Sequence, residues 1–394
     1  MLLTNAHIIS PGLDREGASV LIENGQIKEV ANHTSGDLDL DGKMLLPGFI
    51  DIHSHGADGA DVCDASGESL EHIAQTKLKE GVTTWLPTTL TQPQEKLVEI
   101  VHTIRDWAAS APLNIPGIHL EGPFINREQA GAQNPQFVRP PDLNELQELH
   151  QIFPALILSL APEIPGAFNI IREASGMGIT TSAAHTQADY ATVMAATGYG
   201  LKHLTHFGNA MTGLHHREIG VVGAGFLEDS LRLELIADGI HLAPKMLELI
   251  FSRVPRENIM LITDSVSASW QSDGDTSLGG LEVEIKDGIA RLKSNGALAG
   301  STLRYNQGLK RIHEITGEPL SAIVATTSWN QATSLGLPGT AAAPSDAAWP
   351  DPSAAWTSYM SPEYGGDIDA FGKGKGKGKD SGPRPPLECY NCLG

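Results

Sequence analysis

Residues 48–59 read GFIDIHSHGADG, an apolar run that ends in two histidines one residue apart, immediately before glycines. On a β-strand, residues i and i+2 face the same way, so His53 and His55 project side by side. Two imidazoles on one face are a ready pair of nitrogen ligands for a divalent metal. They also suit a plain strand-to-loop exit, so the surrounding chain has to decide between the two.

Downstream of this stretch, apolar strand-like runs alternate with amphipathic segments such as ESLEHIAQTKLKEG and LVEIVHTIRDWAAS. The strand candidates are GFIDIHSH, TTWLPTT, IPGIHLEG, LILSLAPE, TTSAAHT, HLTHFGNA, LELIADGIH and IMLITDS. Eight strands alternating with helices predict an α/β fold, a parallel (β/α)8 barrel of the TIM type, in which functional residues collect at the C-terminal strand ends. The polar residues of these runs sit at those ends.

Upstream, residues 1–47 alternate short β-like runs with turns, including Asn24-Gly25 as a hairpin signal, and predict a small antiparallel β unit. The domain reading is therefore 1–47 for part of a small β domain and 48–338 for the barrel. Residues 339–394 form an Ala-, Pro- and Ser-rich tail with a GKGKGKGKD repeat, expected to be disordered. The tail ends in CYNCLG, whose Cys389 and Cys392 resemble half of a zinc knuckle; the remaining His and Cys are absent.

The formal charge of −20 argues against a broad nucleic-acid surface and requires a local cationic pocket for any anionic substrate. No apolar run approaches the length of a membrane span, and the start MLLTNAHIIS lacks a signal-peptide pattern. Three cysteines, Cys63 among them, make no disulfide framework, so a reducing cytoplasm is the expected compartment.

Four further strand ends carry residues suited to a hydrolytic metal site. HLEGP places Glu121, SAAHT places His185, HLTHFGNAM offers His203 and His206, and ITDS places Asp264. Each alone also fits a structural role, and Asp264 before a serine also fits a helix N-cap. Nitrogen and carboxylate donors without cysteine suit Zn²⁺, with Fe²⁺, Mn²⁺ or Co²⁺ as alternatives.

Taken in order, GFIDIHSHG, HLEGPF, GAQNP, AHT, HFGNAMTGLHHREIG, ADGIH, TDS and LAGSTL resemble the N-acetylglucosamine-6-phosphate deacetylases of the amidohydrolase superfamily, from the N-terminus to about Leu337. The resemblance implies metal ligation by Glu121, His185 and His206, with His53 and His55 matching a pair that some members use for a second ion. It implies Asp264 as the catalytic carboxylate and Arg217 as the phosphate-binding arginine. An arginine fork suits a phosphate, although Arg217 could also pair with Glu218 at the surface. It further implies substrate contacts at Ala132, Gln133, Asn209, Ala210, His241, Leu298, Ala299 and Gly300, and a homodimer that completes the phosphate pocket. The expected activity is hydrolysis of the acetamide of N-acetylglucosamine 6-phosphate, with one or two metal ions per subunit.

The family's usual C-terminal segment, which returns to the small β domain and completes its sandwich, is replaced here by unrelated composition after GLPGTAAAPSD. An incomplete small domain with an open sheet edge and an exposed apolar face is therefore expected. Two other readings were weighed: another amidohydrolase acting on N-acyl amino acids or cyclic amides, and an inactive scaffold working through its tail. HLEGPF and HHREIG count against the first, and the missing half-knuckle against the second.

Overall fold

The computed structural model describes residues 1–337; the tail readings, Cys389 and Cys392 included, lie outside the described residues. All eight barrel strands form, in chain order around one sheet: Phe49–Ser54, Val82–Thr89, Ile118–Glu121, Ala155–Leu160, Thr180–Ala183, Leu201–Leu204, Arg232–Ile236 and Ile259–Ile262. Every neighbouring pair in that order is parallel. The last strand meets the first just beyond its end, where Asp264 N donates to His53 O at 2.8 Å and His55 N donates to Ser265 O at 2.8 Å. Closure thus happens at the rim, between the segments that carry the candidate site.

The helices between strands follow from the apolar spacing. Gly67–Lys79 starts at Ser66, whose side chain accepts from Ser69 N, and buries Leu70, Ile73, Ala74 and Lys77. That i, i+3, i+4, i+7 stripe faces the barrel wall. Gln94–Ala108 repeats the pattern with Leu97, Ile100, Val101, Ile104 and Trp107. One cluster of buried apolar side chains runs continuously through strands and helices. Among the described residues, no helix is long and apolar enough to cross a membrane.

The N-terminal unit differs from expectation in two respects. Leu2–Ser10, Leu13–Glu23 and Gln26–Ala31 are antiparallel, with Asn24 and Gly25 at positive φ (52° and 71°) in the hairpin turn. The first of these strands, however, also pairs in parallel with Leu38–Asp39 and Met44–Leu45, so the sheet is mixed. The second difference is burial: Leu3, Ala6, Ile8, Ala18, Val20, Ile22, Ile27, Leu40 and Leu45 form their own buried cluster. The large apolar side chains exposed among the described residues are Met1, Tyr199, Leu214, Leu227, Ile240 and Leu249, so the expected exposed apolar face is not found on this sheet beyond Met1. The segment 38–45 supplies Leu40 and Leu45 to its core, and Gly12 N donates to Ser321 O of the barrel domain.

A second departure is an antiparallel three-stranded insert after the eighth strand: Gly274–Leu278, Leu281–Lys286 and Ile289–Leu292. It brings Leu278 to the wall of the site cavity.

Candidate active site

Six residues converge at the C-terminal mouth of the barrel. His53 is on the first strand and Glu121 closes the third, while His55, His185, His206 and Asp264 lie just past the first, fifth, sixth and eighth. His185, His206 and Asp264 all adopt left-handed backbone conformations, with φ of 44°, 34° and 49°. Such angles are uncommon for residues with a Cβ and cluster where function over-determines geometry. Asp264 is also crowded by the backbone of Gly300, where an added Cβ would lie 2.3 Å from Val266 Cγ1 and 2.9 Å from Asp264 O. Only glycine fits there, at φ +57°.

Glu121 is the hub. Its Oε1 lies 3.1 Å from His206 Nε2, 3.2 Å from His185 Nε2 and 3.4 Å from His53 Nε2. Its Oε2 lies 3.2 Å from His55 Nε2 and accepts a short hydrogen bond from the Gln133 amide. Asp264 Oδ1 is 3.3 Å from His55 Nε2 and 3.5 Å from His53 Nε2. All six side chains are buried.

The far sides of three rings are held by acceptors. His185 Nδ1 meets Gln129 O at 2.8 Å, His55 Nδ1 meets Thr88 O at 3.1 Å, and His53 Nδ1 meets Glu234 Oε2 at 3.2 Å. An imidazole that donates from Nδ1 presents a lone pair at Nε2, the atom all three direct at the carboxylates.

This donor set fits a divalent metal. The ligand atoms fall into two groups, His53–His55–Asp264 and Glu121–His185–His206, each with its atoms within 4.8 Å of one another. His53 Nε2 is buried without any hydrogen-bond partner. Two carboxylates packed among imidazoles at this burial require positive charge, supplied by a cation or by protonated rings. Burial opposes ionisation of Glu121 and Asp264, yet the surrounding histidines hold both below the ordinary carboxylate range. Burial likewise opposes protonation of His55, but Asp264 and Glu121 lift it to about 10.

Five of the six, His55, Glu121, His185, His206 and Asp264, form the floor of a cavity of about 360 Å³. Ala132, Gln133, Asn209, Ala210, His241, Leu298 and Gly300 all line it. The Gln133 side chain is committed to Glu121 and to Thr91 N, whose hydrogen bond its Oε1 accepts at 2.6 Å. His241 is oriented by Asp238, whose Oδ2 sits 2.6 Å from His241 Nδ1 while Oδ1 accepts from Ile240 N and His241 N. Burial opposes charge on His241, but the Asp238 bond outweighs it and raises its pKa.

Two sequence candidates sit apart from the cavity. Ala299 is fully buried behind its wall, its N–H donating to Ala290 O. Arg217 is exposed on the 208–219 loop, with a guanidinium nitrogen 2.7 Å from His216 Nε2, and is not part of the cavity lining. His203 points the other way, into the barrel interior, where it meets Glu234 and Ser334.

A parallel barrel with buried histidines and carboxylates at its C-terminal rim, opening on a cavity of this size, defines a metal-dependent hydrolase. A model of the amidohydrolase family matches residues 44–341, and the chain belongs to that family. It is 39% identical over 301 residues to the N-acetylglucosamine-6-phosphate deacetylase of Bacillus subtilis (strain 168), covering 75% of this chain and 76% of that protein. It is 36% identical over 303 residues to the N-acetylgalactosamine-6-phosphate deacetylase of Escherichia coli O157:H7, covering 76% of this chain and 80% of that one. Among solved structures, the N-acetylglucosamine-6-phosphate deacetylase of Thermotoga maritima superposes with a TM-score of 0.79 at 37% identity, covering 86% of this chain and 91% of that one.

Proposed function

We infer that this protein removes the acetyl group from N-acetylglucosamine 6-phosphate, releasing acetate and glucosamine 6-phosphate. The observation that carries the reading is the meeting of two donor groups, with the carboxylate of Asp264 among them, at the floor of a sugar-sized cavity. The N-acyl amino acid, cyclic-amide and scaffold readings are not favoured by the relatives described above.

Glu121, His185 and His206 would hold one metal ion, and His53 and His55 with Asp264 would hold a second. Zn²⁺ is the proposed ion, because all six donor residues offer nitrogen or oxygen, three in each group. A bound ion of this kind supplies Lewis acidity, polarising the acetamide carbonyl and making a water acidic. Asp264, ionised at neutral pH, takes the proton of the attacking water as the new C–O bond forms. It then delivers that proton to the nitrogen as the C–N bond breaks, so the amine leaves neutral. His241, fixed by Asp238, faces the same cavity and is placed to orient the sugar or its acetamide. Ala132, Asn209, Ala210, Leu298 and Gly300 would shape the sugar site.

The exposed position of Arg217 supports a homodimer in which a second chain closes the phosphate pocket over the 208–219 loop. The proposed domains remain 1–47, 48–338 and 339–394, and the proposed compartment is the cytoplasm.

The test is a substrate panel on Zn²⁺-loaded protein: N-acetylglucosamine 6-phosphate, its galacto epimer, and unphosphorylated N-acetylglucosamine. Turnover of a phosphorylated sugar with loss of about 100-fold or more in kcat/KM without the phosphate is expected from a charge-assisted arginine contact. Equal turnover with and without the phosphate would remove Arg217 from the reading, and no turnover of any member would remove the reading itself.

A further inference from the structure

The interior of a (β/α)8 barrel is ordinarily filled by branched aliphatic side chains. Beneath this site the layer is polar instead: His119, Ser159, His203, Thr205 and Glu234 are each 0% exposed. Glu234, on the seventh barrel strand, is the anion in that layer, and a buried carboxylate is costly unless fully bonded. Its Oε2 lies 3.2 Å from His53 Nδ1 and its Oε1 lies 3.4 Å from His203 Nδ1. His203 Nε2 in turn lies 2.6 Å from Ser334 Oγ, near the opposite end of the barrel.

Each Glu234 oxygen faces a ring nitrogen, and a carboxylate oxygen is an acceptor, so the His53 nitrogen that faces it is the donor. The other nitrogen, Nε2, is then the free donor atom, and it is the buried one with no partner, between Glu121 and Asp264. The analogous rings of His55 and His185 are held by backbone carbonyls, Thr88 O and Gln129 O. His53 alone of these three depends on a side chain for its orientation and tautomer.

We propose that Glu234 is a positioning residue that makes His53 a metal ligand, so that the His53–His55–Asp264 position depends on it while the Glu121–His185–His206 position does not. This rests on reading the two donor groups as metal positions.

The experiment measures Zn²⁺ stoichiometry and stepwise affinity, by elemental analysis and chelator competition, in the wild type, Glu234→Leu and Glu234→Gln. The leucine removes the acceptor, whereas glutamine can still accept from His53 through its amide oxygen. The expected result is two ions in the wild type and a weaker ion weakened 10- to 100-fold further in Glu234→Leu, with the tighter one unchanged. Glu234→Gln should recover most of that loss. Retention of both ions at wild-type affinity in Glu234→Leu, or equal weakening of both, would overturn the proposal. A wild type that binds a single ion would instead overturn the two-position reading, and the proposal with it. Should the leucine variant fail to fold, nitrogen-15 histidine spectra of the Zn²⁺-loaded wild type decide: His53 protonated at Nδ1 supports the assignment, and His53 protonated at Nε2 overturns it.

Discussion

Lys77→Met isolates the charge balance beneath the catalytic rim. Lys77 is fully buried, and its ammonium donates to Asp51 Oδ2 at 2.9 Å, Thr263 Oγ1 at 3.0 Å and Ser265 Oγ at 2.7 Å. It also lies 3.7 Å from Glu80 Oε2. Methionine keeps the unbranched stem but strands two buried carboxylates, Asp51 and Glu80, without a cation. Breaking a buried ion pair from one side costs about 3–5 kcal/mol. With an unfolding entropy of about 2.1 cal/mol/K per residue, the described part of the chain carries about 0.7 kcal/mol/K, so Tm should fall by about 4–7 °C. Thermal unfolding at pH 7 and matched metal content reads this directly. The double variant Lys77→Met/Asp51→Asn removes one stranded charge and should be more stable than the sum of the two single effects. A Lys77→Met protein that melts within 1 °C of the wild type would refute the reasoning, as would strictly additive single variants. Because Thr263 and Ser265 flank Asp264, the same variant should also lower kcat more than it raises KM.

Three more outcomes follow from the same geometry. Burial pushes the Asp61 carboxyl up to about 6, with Oδ2 unpartnered, so the folded state holds this proton more tightly than the unfolded chain. Stability contributed by that proton is present at low pH and lost as pH rises from about 4 through about 6; Asp61→Asn, which keeps the cap acceptor for Cys63 N, should flatten this slope by up to about 3 kcal/mol in calorimetric pH series. Asp238→Asn replaces the acceptor on His241 Nδ1 by an amide, so the His241 pKa should fall and any limb it contributes to the kcat/KM–pH profile should move to lower pH. Chelation of the metal should lower Tm by about 4 °C at a free-ion concentration 100 times Kd, since that binding is worth about 2.7 kcal/mol.

The barrel was legible because its strands are buried on both faces and read as apolar runs between amphipathic segments. The candidate donors were legible because five of the runs end in histidine, glutamate or aspartate at the rim. Glu234 escaped notice in LELIADGIH, where a single acid within an apolar strand resembles ordinary alternation although both faces are covered. The burial of Lys77 had a signal within ESLEHIAQTKLKEG: it stands four residues after Ile73 and seven after Leu70, on the apolar stripe. The three-stranded insert carried a usable signal in Asp287-Gly288, both at positive φ in the turn between Lys286 and Ile289, of the kind read correctly at Asn24-Gly25. The exposure of Arg217 could not be read from HHREIG, because sequence fixes which residues a loop holds and not what stands opposite it.

Asp264 is proposed to move the proton, in addition to its place beside His53 and His55, while Glu121, His185 and His206 would hold an ion without it. This central claim is tested most directly by measuring acetate release from N-acetylglucosamine 6-phosphate alongside metal content, in the wild type and Asp264→Asn. The account predicts that the variant keeps the ion at Glu121, His185 and His206 and that its kcat falls by about 10²–10⁴. An Asp264→Asn enzyme that turns over at the wild-type rate would contradict it.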